Sequence, residues 1–274
     1  MSKSNLAPEH LPLTAVLITL NAADQLAKAL NSVQFCNEII VIDSGSTDLT
    51  PVIAQTHNAR FIHSDWKGFG PQKHWAVSQA RHDWVLCIDA DEQVTPALQQ
   101  SILAALAVSN QQRPQAYDMP RSNFFIDRYL RHGEGYPDRS LRLFNRKHAQ
   151  WSQDIVHEKV LCDTPVGHLQ GDLLHRSADN LHNYLQKQNR YTTLQAQTLY
   201  QRNKNPGAWR LLLSPWLRFL KFYIFRQGFR DGVPGLIHIG LGCYNSFIKY
   251  AKARDLFVRS TAPAVPAPHK KDRV

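Results

Sequence analysis

The run Val85-Leu86-Cys87-Ile88-Asp89-Ala90-Asp91-Glu92 constrains this chain more than any other stretch. An apolar segment long enough for one buried strand ends in two carboxylates separated by a single small residue. Near-continuous apolar character over a short run suits a parallel strand covered on both faces. Open α/β sheets place their ligands beyond the carboxyl ends of such strands. Two acids there would repel one another and resist desolvation unless a cation joined them. Asp89 and Asp91, with Ala90 as spacer, can aim oxygen ligands at one hard divalent ion, Mg2+ or Mn2+ rather than zinc, with substrate phosphates completing its shell. The alternative is a strand that simply ends in solvated acids. Glu92 could assist the pair or cap the next turn.

The flanking sequence supports a strand embedded in a doubly wound, largely parallel sheet. Ala15 to Leu20, Glu38 to Ile42 and Ala59 to His63 read as strands. Ala22 to Val33, Leu49 to Thr56, Gln72 to Ala80 and Pro96 to Val108 read as helices, with Lys67 to Pro71 as a loop. That rhythm fits an α/β fold. Beyond it, Tyr117 to Ile126 and Ser140 to Phe144 look extended, Gln170 to His175 forms a short element, and Asp179 to Tyr200 is helical. From Trp209 to Phe229 the chain is aromatic, apolar and basic, and Pro215 can bend it or separate two helices. A further helix begins after Pro234. The expected organisation is a flexible N-terminus over 1–12, a catalytic domain over 13–178, a helical extension over 179–260 and a disordered basic tail over 261–274.

Composition enters through charge. The 274 residues carry 32 Lys and Arg against 22 Asp and Glu, a formal charge of +10. This excess favours an anionic partner: a phosphorylated substrate, a membrane surface or nucleic acid. Cysteines 36, 87, 162 and 243 form no close pair, which suits reduced thiols in a reducing compartment. The N-terminal residues lack a secretory-signal pattern and no apolar stretch is long enough to span a bilayer, so the expected location is cytoplasmic.

Several further residues can carry chemistry. Asp43 ends the second strand before Ser44-Gly45-Ser46, where it can accept from a ribose or a base, or close an Asx turn. The chain lacks a Gly-rich dinucleotide fingerprint after the first strand and a phosphate loop ending in Gly-Lys-Ser/Thr, which weakens dehydrogenase and ATPase readings. Gly68, Gly70 and Lys73 can bring backbone and positive charge to a diphosphate, or Lys73 is a solvated surface lysine. In an extended segment, Arg142 points away from Leu141 and Leu143, and Arg139 shares the leucines' parity. Both arginines could grip phosphate oxygens or acceptor if the chain turns before Ser140; otherwise they protect an edge strand. Glu158 can act as general base toward a sugar hydroxyl, with His157 orienting substrate; a structural His–Glu pair is the alternative. His175 is either a third metal ligand or a satisfied structural histidine. Trp209, Trp216, Arg218, Phe219, Lys221, Phe222 and Arg226 could lie in a membrane interface, or belong to a helix packed on the catalytic domain.

Three segments together carry a resemblance: Val16-Leu-Ile-Thr-Leu-Asn21, Ile40-Val-Ile-Asp-Ser-Gly-Ser-Thr-Asp48 and Leu86-Cys-Ile-Asp-Ala-Asp-Glu92. In that order and spacing they resemble glycosyltransferase family 2, inverting enzymes with a single nucleotide-sugar-binding α/β domain of GT-A type. Leu20 stands where an aromatic is common. The resemblance implies that Asp43 recognises the nucleoside and that Asp89 and Asp91 engage ribose, diphosphate and metal. Asn21, Lys73 and Ala90 complete the expected nucleotide-sugar site, and His175 stands beside Asp89 and Asp91 as the third candidate metal ligand.

The segments Gly68-Phe-Gly-Pro-Gln-Lys-His-Trp-Ala76, Asp138-Arg-Ser-Leu-Arg-Leu-Phe144 and Val156-His-Glu158, with the aromatic, basic C-terminal region, extend the likeness. They are similar to bacterial lipopolysaccharide inner-core β-1,4-glucosyltransferases. That narrower resemblance implies UDP-glucose as donor and a heptose of the lipid-attached inner core, at the inner leaflet, as acceptor. The aromatic, basic stretch and the excess positive charge add the expectation of a protein peripheral on the inner membrane. The mechanism expected is one inverting displacement with Glu158 as base and Asp154, which precedes the His-Glu pair within a polar loop, as runner-up. Transfer from another nucleotide-sugar, or to a polyisoprenyl, soluble or protein acceptor, is the competing enzyme reading. A basic nucleic-acid-binding module is the non-enzyme reading, and acids at 43, 89 and 91 argue against it because phosphate-backbone binding needs positive charge there.

Overall fold

The computed structural model describes residues 12–109, 113–154, 158–176 and 180–261. The chain divides into two compact units, one comprising Met1–Arg131 with Gly135–Ala178, the other His132–Glu134 with Asp179–Val274.

The first unit is built on the strands β1 (Leu13–Thr19), β2 (Glu38–Asp43), β3 (Arg60–His63) and β4 (Trp84–Asp89), all parallel, in the order β3-β2-β1-β4. Helices α1 (Ala23–Ser32), α2 (Thr50–Thr56) and α3 (Phe69–Ser78) make the crossovers. All of β2 is buried and so is nearly all of β1, because both faces are covered. One apolar layer holds Leu13, Leu17, Leu86 and Ile88 with α1; the other holds Val16, Ile40, Val85 and Cys87 with α3. Each fully buried Leu, Ile or Val contributes roughly 1.5–3 kcal/mol. Register fixes where the acids emerge. Thr19 pairs with Asp43 and Ile18 with Asp89, so both carboxylates leave the same sheet edge.

The second half of this unit departs from the parallel expectation. It contains β5 (Glu92–Val94), α4 (Pro96–Ala107), β6 (Ala116–Phe125), β7 (Arg128–Tyr129), β8 (Asp138–Asn145), β9 (Ala149–Trp151), β10 (Val160–Cys162), β11 (Val166–His168) and β12 (Leu173–His175). The sheet continues β4-β8-β6-β12-β5, with β8 antiparallel to both β4 and β6, and β12 parallel to β6 but antiparallel to β5. The sheet is therefore mixed. No helix intervenes between β6 and β8, and a direct return of the chain gives antiparallel pairing.

Two local expectations also change. Helix α3 starts at Phe69, absorbing part of the expected loop, with Gly68 at φ +96° before it and Pro71 in its first turn, where a missing N–H costs nothing. In β8, strict alternation fails. Tyr117 pairs with Leu143 but Asp118 pairs with Leu141, so Arg142 is the extra residue of a β-bulge. Leu141 consequently packs with Phe144 and Trp151, whereas Leu143 lies in the opposite layer.

The second unit comprises α5 (Leu181–Gln201), α6 (Ala208–Phe219), a π-helical turn Leu220–Phe225, a 3-10 turn Gly228–Asp231 and the long α7 (Gly232–Thr261). Asn180 caps α5 through its side chain, which accepts from Asn183 N–H at 2.9 Å. Pro215 neither splits nor ends α6, which runs through it; Ser214 Oγ meets Ser246 Oγ of α7 at 2.7 Å beside it. His132 binds Asp231 through its backbone N–H and ring nitrogen at 2.8 and 2.9 Å, and Glu134 forms an ion pair with Arg218. Among the described residues no helix is long and apolar enough to cross a membrane.

Candidate active site

The site starts with two loops at the carboxyl edge of β1 and β2. Asn21, in the left-handed region at φ 49°, accepts from Thr47 N–H at 2.9 Å and donates its own N–H to Ser46 Oγ at 2.7 Å. Asp43 is 2% exposed and accepts four hydrogen bonds: from Thr19 Oγ1 and Ser46 Oγ on one oxygen, and from the Gly45 and Ser46 N–H groups on the other. The Asx-turn geometry is thus formed, and the two sheet-end loops are laced together.

At the end of β4 the acids separate. Asp89 faces two cations: Lys73 Nζ lies 2.9 Å from Oδ1 and Arg142 Nη2 lies 2.7 Å from Oδ2. Glu92, wholly buried, accepts the Asp89 backbone N–H at 2.9 Å on one oxygen, and Arg142 and Arg121 at 2.8 and 3.3 Å on the other. Arg121 continues to Asp138 at 2.6 Å. Burial pushes the Asp89 carboxyl up, but Arg142 and Lys73 outweigh it and hold the group well below the usual carboxylate range. Burial lowers the affinity of Arg142 for its proton, whereas Asp89 and Glu92 more than restore it.

Lys73 is 5% exposed, which excludes a solvated surface lysine. Its ammonium also holds Glu158 Oε1 at 2.9 Å and sits 4.8 Å from the Trp151 ring centroid. The Arg142 guanidinium lies 5.8 Å from the same ring, and Trp151 Nε1 donates to Cys87 Sγ at 3.5 Å. Burial pushes the Cys87 thiol up to about 11, so it remains a neutral acceptor. Lys73, Asp89, Cys87 and Arg142 line a cavity of about 10 Å³, the size of one water. All four cysteines are unpaired.

Asp91 points elsewhere. Its Oδ2 lies 3.2 Å from His175 Nε2, while His175 Nδ1 meets Asn123 Oδ1 at 2.7 Å. Antiparallel pairing of β12 with β5 sets His175 opposite Glu92 and so brings the imidazole beside the acids. With Nδ1–H donated to Asn123, a neutral imidazole would present its Nε2 lone pair on the Asp91 side to a bound ion, as a metal-binding imidazole does; without an ion the same nitrogen, protonated, donates to Asp91. A carboxylate and an imidazole converging there fit a divalent ion. Among the described residues no three His, Cys, Asp or Glu side chains converge, so such an ion would draw the rest of its shell from substrate or water.

Other expected site residues are dispersed. Arg139 does not join Arg142; it pairs with Asp118 at 2.5 Å, and His168 meets the same carboxylate at 2.9 Å. Asp154 is exposed, and its carbonyl accepts the Gly70 N–H at 3.1 Å. A Cβ on Gly70 would collide with the carbonyl oxygens of Ser152 and Asp154, so only glycine lets α3 approach the segment leading to Glu158. His157 lies outside the described residues. In the helical unit, Trp209, Trp216, Lys221 and Arg226 are exposed, but Arg218 pairs with Glu134, Phe219 stacks on Tyr223, and Phe222 is half-buried among the Arg218, Lys221 and Arg226 cations. Arg121 and Asn123 were not singled out from sequence; their only signal was polarity inside an otherwise extended β6.

Residues 14–158, more than half of the chain, match the family model for glycosyl transferase family 2. The chain is 33% identical over 256 residues to the lipopolysaccharide core biosynthesis glycosyltransferase LpsC of Rhizobium meliloti, covering 88% of this chain and 92% of that protein. It is 31% identical over 258 residues to an uncharacterized glycosyltransferase of Rickettsia typhi, RT0209, covering 90% and 88%. Among solved structures it is similar to S. aureus TarS 1–349 in complex with UDP-GlcNAc, with TM-score 0.45, 12% identity and coverage of 90% and 92%. With the acid-ended strand β4 inside the matched segment and likeness to LpsC along nearly the whole chain, this protein belongs to glycosyltransferase family 2.

Proposed function

We propose that this protein transfers a hexose, glucose from UDP-glucose in the first instance, onto a heptose of a lipopolysaccharide inner core, inverting the anomeric configuration. The observation that carries the reading is the convergence of Asp91 and His175 beside the Asp89 cluster at the sheet edge. Resemblance to a lipopolysaccharide core enzyme over most of both chains supports the acceptor class.

In this reading Asn21 and Asp43 shape the nucleoside end of the site, and Asp89 with the Ala90 backbone faces the ribose. Asp91 and His175 would hold Mg2+ or Mn2+, which offsets the charge that grows on the diphosphate as it leaves. Lys73 and Arg142 act first on the protein's own acids: they fix Asp89 and, through Lys73, the Glu158 carboxylate. Glu158 takes the proton of the acceptor hydroxyl, whose oxygen attacks the anomeric carbon while UDP departs from the opposite face. The Lys73 tether between Asp89 and Glu158 favours Glu158 over the exposed Asp154 as base.

UDP release from a panel of UDP-sugars, with and without deep-core lipopolysaccharide acceptors, tests this function. Acceptor-stimulated turnover with UDP-glucose is expected. Turnover only with another donor, or only with a non-lipopolysaccharide acceptor, would overturn the assignment.

A further inference from the structure

Helix α6 and the π-helical turn after it present an apolar face to solvent. Trp209, Leu212, Trp216 and Leu220 recur at three- and four-residue spacing, and the wider π turn carries the face on to Ile224 and Phe225. Leu212 is 71% exposed, Trp216 67% and Phe225 78%. A contiguous exposed patch of large aromatic and aliphatic side chains marks an interaction surface.

Its rim decides what it meets. Arg210, Lys221, Arg226 and Arg230 are exposed, and the chain contains no Asp or Glu from Asn180 to Arg230. A second copy placed on this face would bring cations together with no carboxylate from the same stretch to meet them. A nucleic-acid backbone would match the cations but leave the leucines and tryptophans uncovered. An anionic bilayer satisfies both: phosphates for the cations, and the boundary between headgroups and acyl chains for the apolar side chains.

We propose that the face formed by Trp209, Leu212, Trp216, Leu220, Ile224 and Phe225 docks on an anionic phospholipid surface, lying on the bilayer rather than spanning it. Arg218 and Phe219 are excluded from the contact because Glu134 and Tyr223 engage them within the unit. Docking needs neither donor nor acceptor, so it is measured apart from turnover and stands or falls independently of the transferase assignment.

The test is co-sedimentation of the full chain with vesicles of phosphatidylcholine alone or mixed with phosphatidylglycerol, with tryptophan fluorescence recorded on the same samples. Partition about tenfold or more stronger onto the mixed vesicles, weakened by salt, with a blue shift, is expected. The double substitution Trp216→Ser and Phe225→Ser, checked for folding by circular dichroism, should remove most of the binding. Equal partition onto both vesicles, no partition, binding untouched by the double substitution, or a stable dimer that shields these tryptophans without lipid would overturn docking.

Discussion

Arg142, the extra residue of a bulge in β8, places Nη2 2.7 Å from Asp89 Oδ2 and so couples an irregularity of the sheet to the acidic end of β4. The same nitrogen reaches Glu92 at 2.8 Å, and a regular strand would send the side chain and Leu141 to opposite faces.

Replacing Arg142 by Met leaves Asp89 and Glu92 buried with one cation fewer. Breaking a buried pair from one side costs about 3–5 kcal/mol. Arg142→Met should lose that much in urea unfolding, and Arg142→Lys should recover only part, since an ammonium on a shorter reach does not reproduce the guanidinium fork.

The Glu158 and Asp154 assignments separate in kinetics. Glu158→Gln should lower kcat by about 10²–10⁴, the usual worth of a general base, with UDP affinity within about twofold. Asp154→Asn should stay within about tenfold of the parent. The reverse ranking would transfer the base role to Asp154.

Gly70→Ala inserts a methyl group against the Ser152 and Asp154 carbonyls. Overpacking of this kind costs about 1–3 kcal/mol. Because the displaced segment leads to Glu158, kcat should fall more than the donor KM rises; a melting temperature and kcat both unchanged would show that the close approach is dispensable.

Acid stability follows from Asp89. Its folded pKa is depressed, so its contribution is complete above the ordinary carboxyl value of about 3.9 and is lost as pH falls from there toward the folded value. Asp89→Asn should therefore be destabilised near neutral pH, and the gap to the parent should narrow only below about pH 4. Denaturant titrations across that range check the sign: a gap that narrows between pH 8 and 6 would contradict it.

The first half of the fold was legible because alternating buried runs and helices follow a simple period, and the acid-ended strand lies where that period puts it. Legibility failed where tertiary pairing overrode local pattern. The antiparallel return of β8 has no signature in its own residues, and the bulge at Arg142 is a relation between two strands. Glu92 looked like an optional helper because burial of a carboxylate depends on Arg121 and Arg142, distant in sequence. Lys73 read ambiguously for the same reason: Asp89, Glu158 and Trp151 surround it only in three dimensions. The exposed face of α6 was blurred by Pro215, which suggests a break, and by the π turn, which shifts the helical period.

The most direct measurement is UDP binding by calorimetry over a Mn2+ and Mg2+ titration, with Asp91→Asn and His175→Ala beside the parent protein. Metal-dependent UDP affinity in the parent, weakened about 10–100-fold or more in both variants while their folding is intact, is the predicted result. Equal UDP affinity with and without divalent ion, or unchanged affinity in both variants, would contradict the assignment of Asp91 and His175 to a metal-diphosphate site.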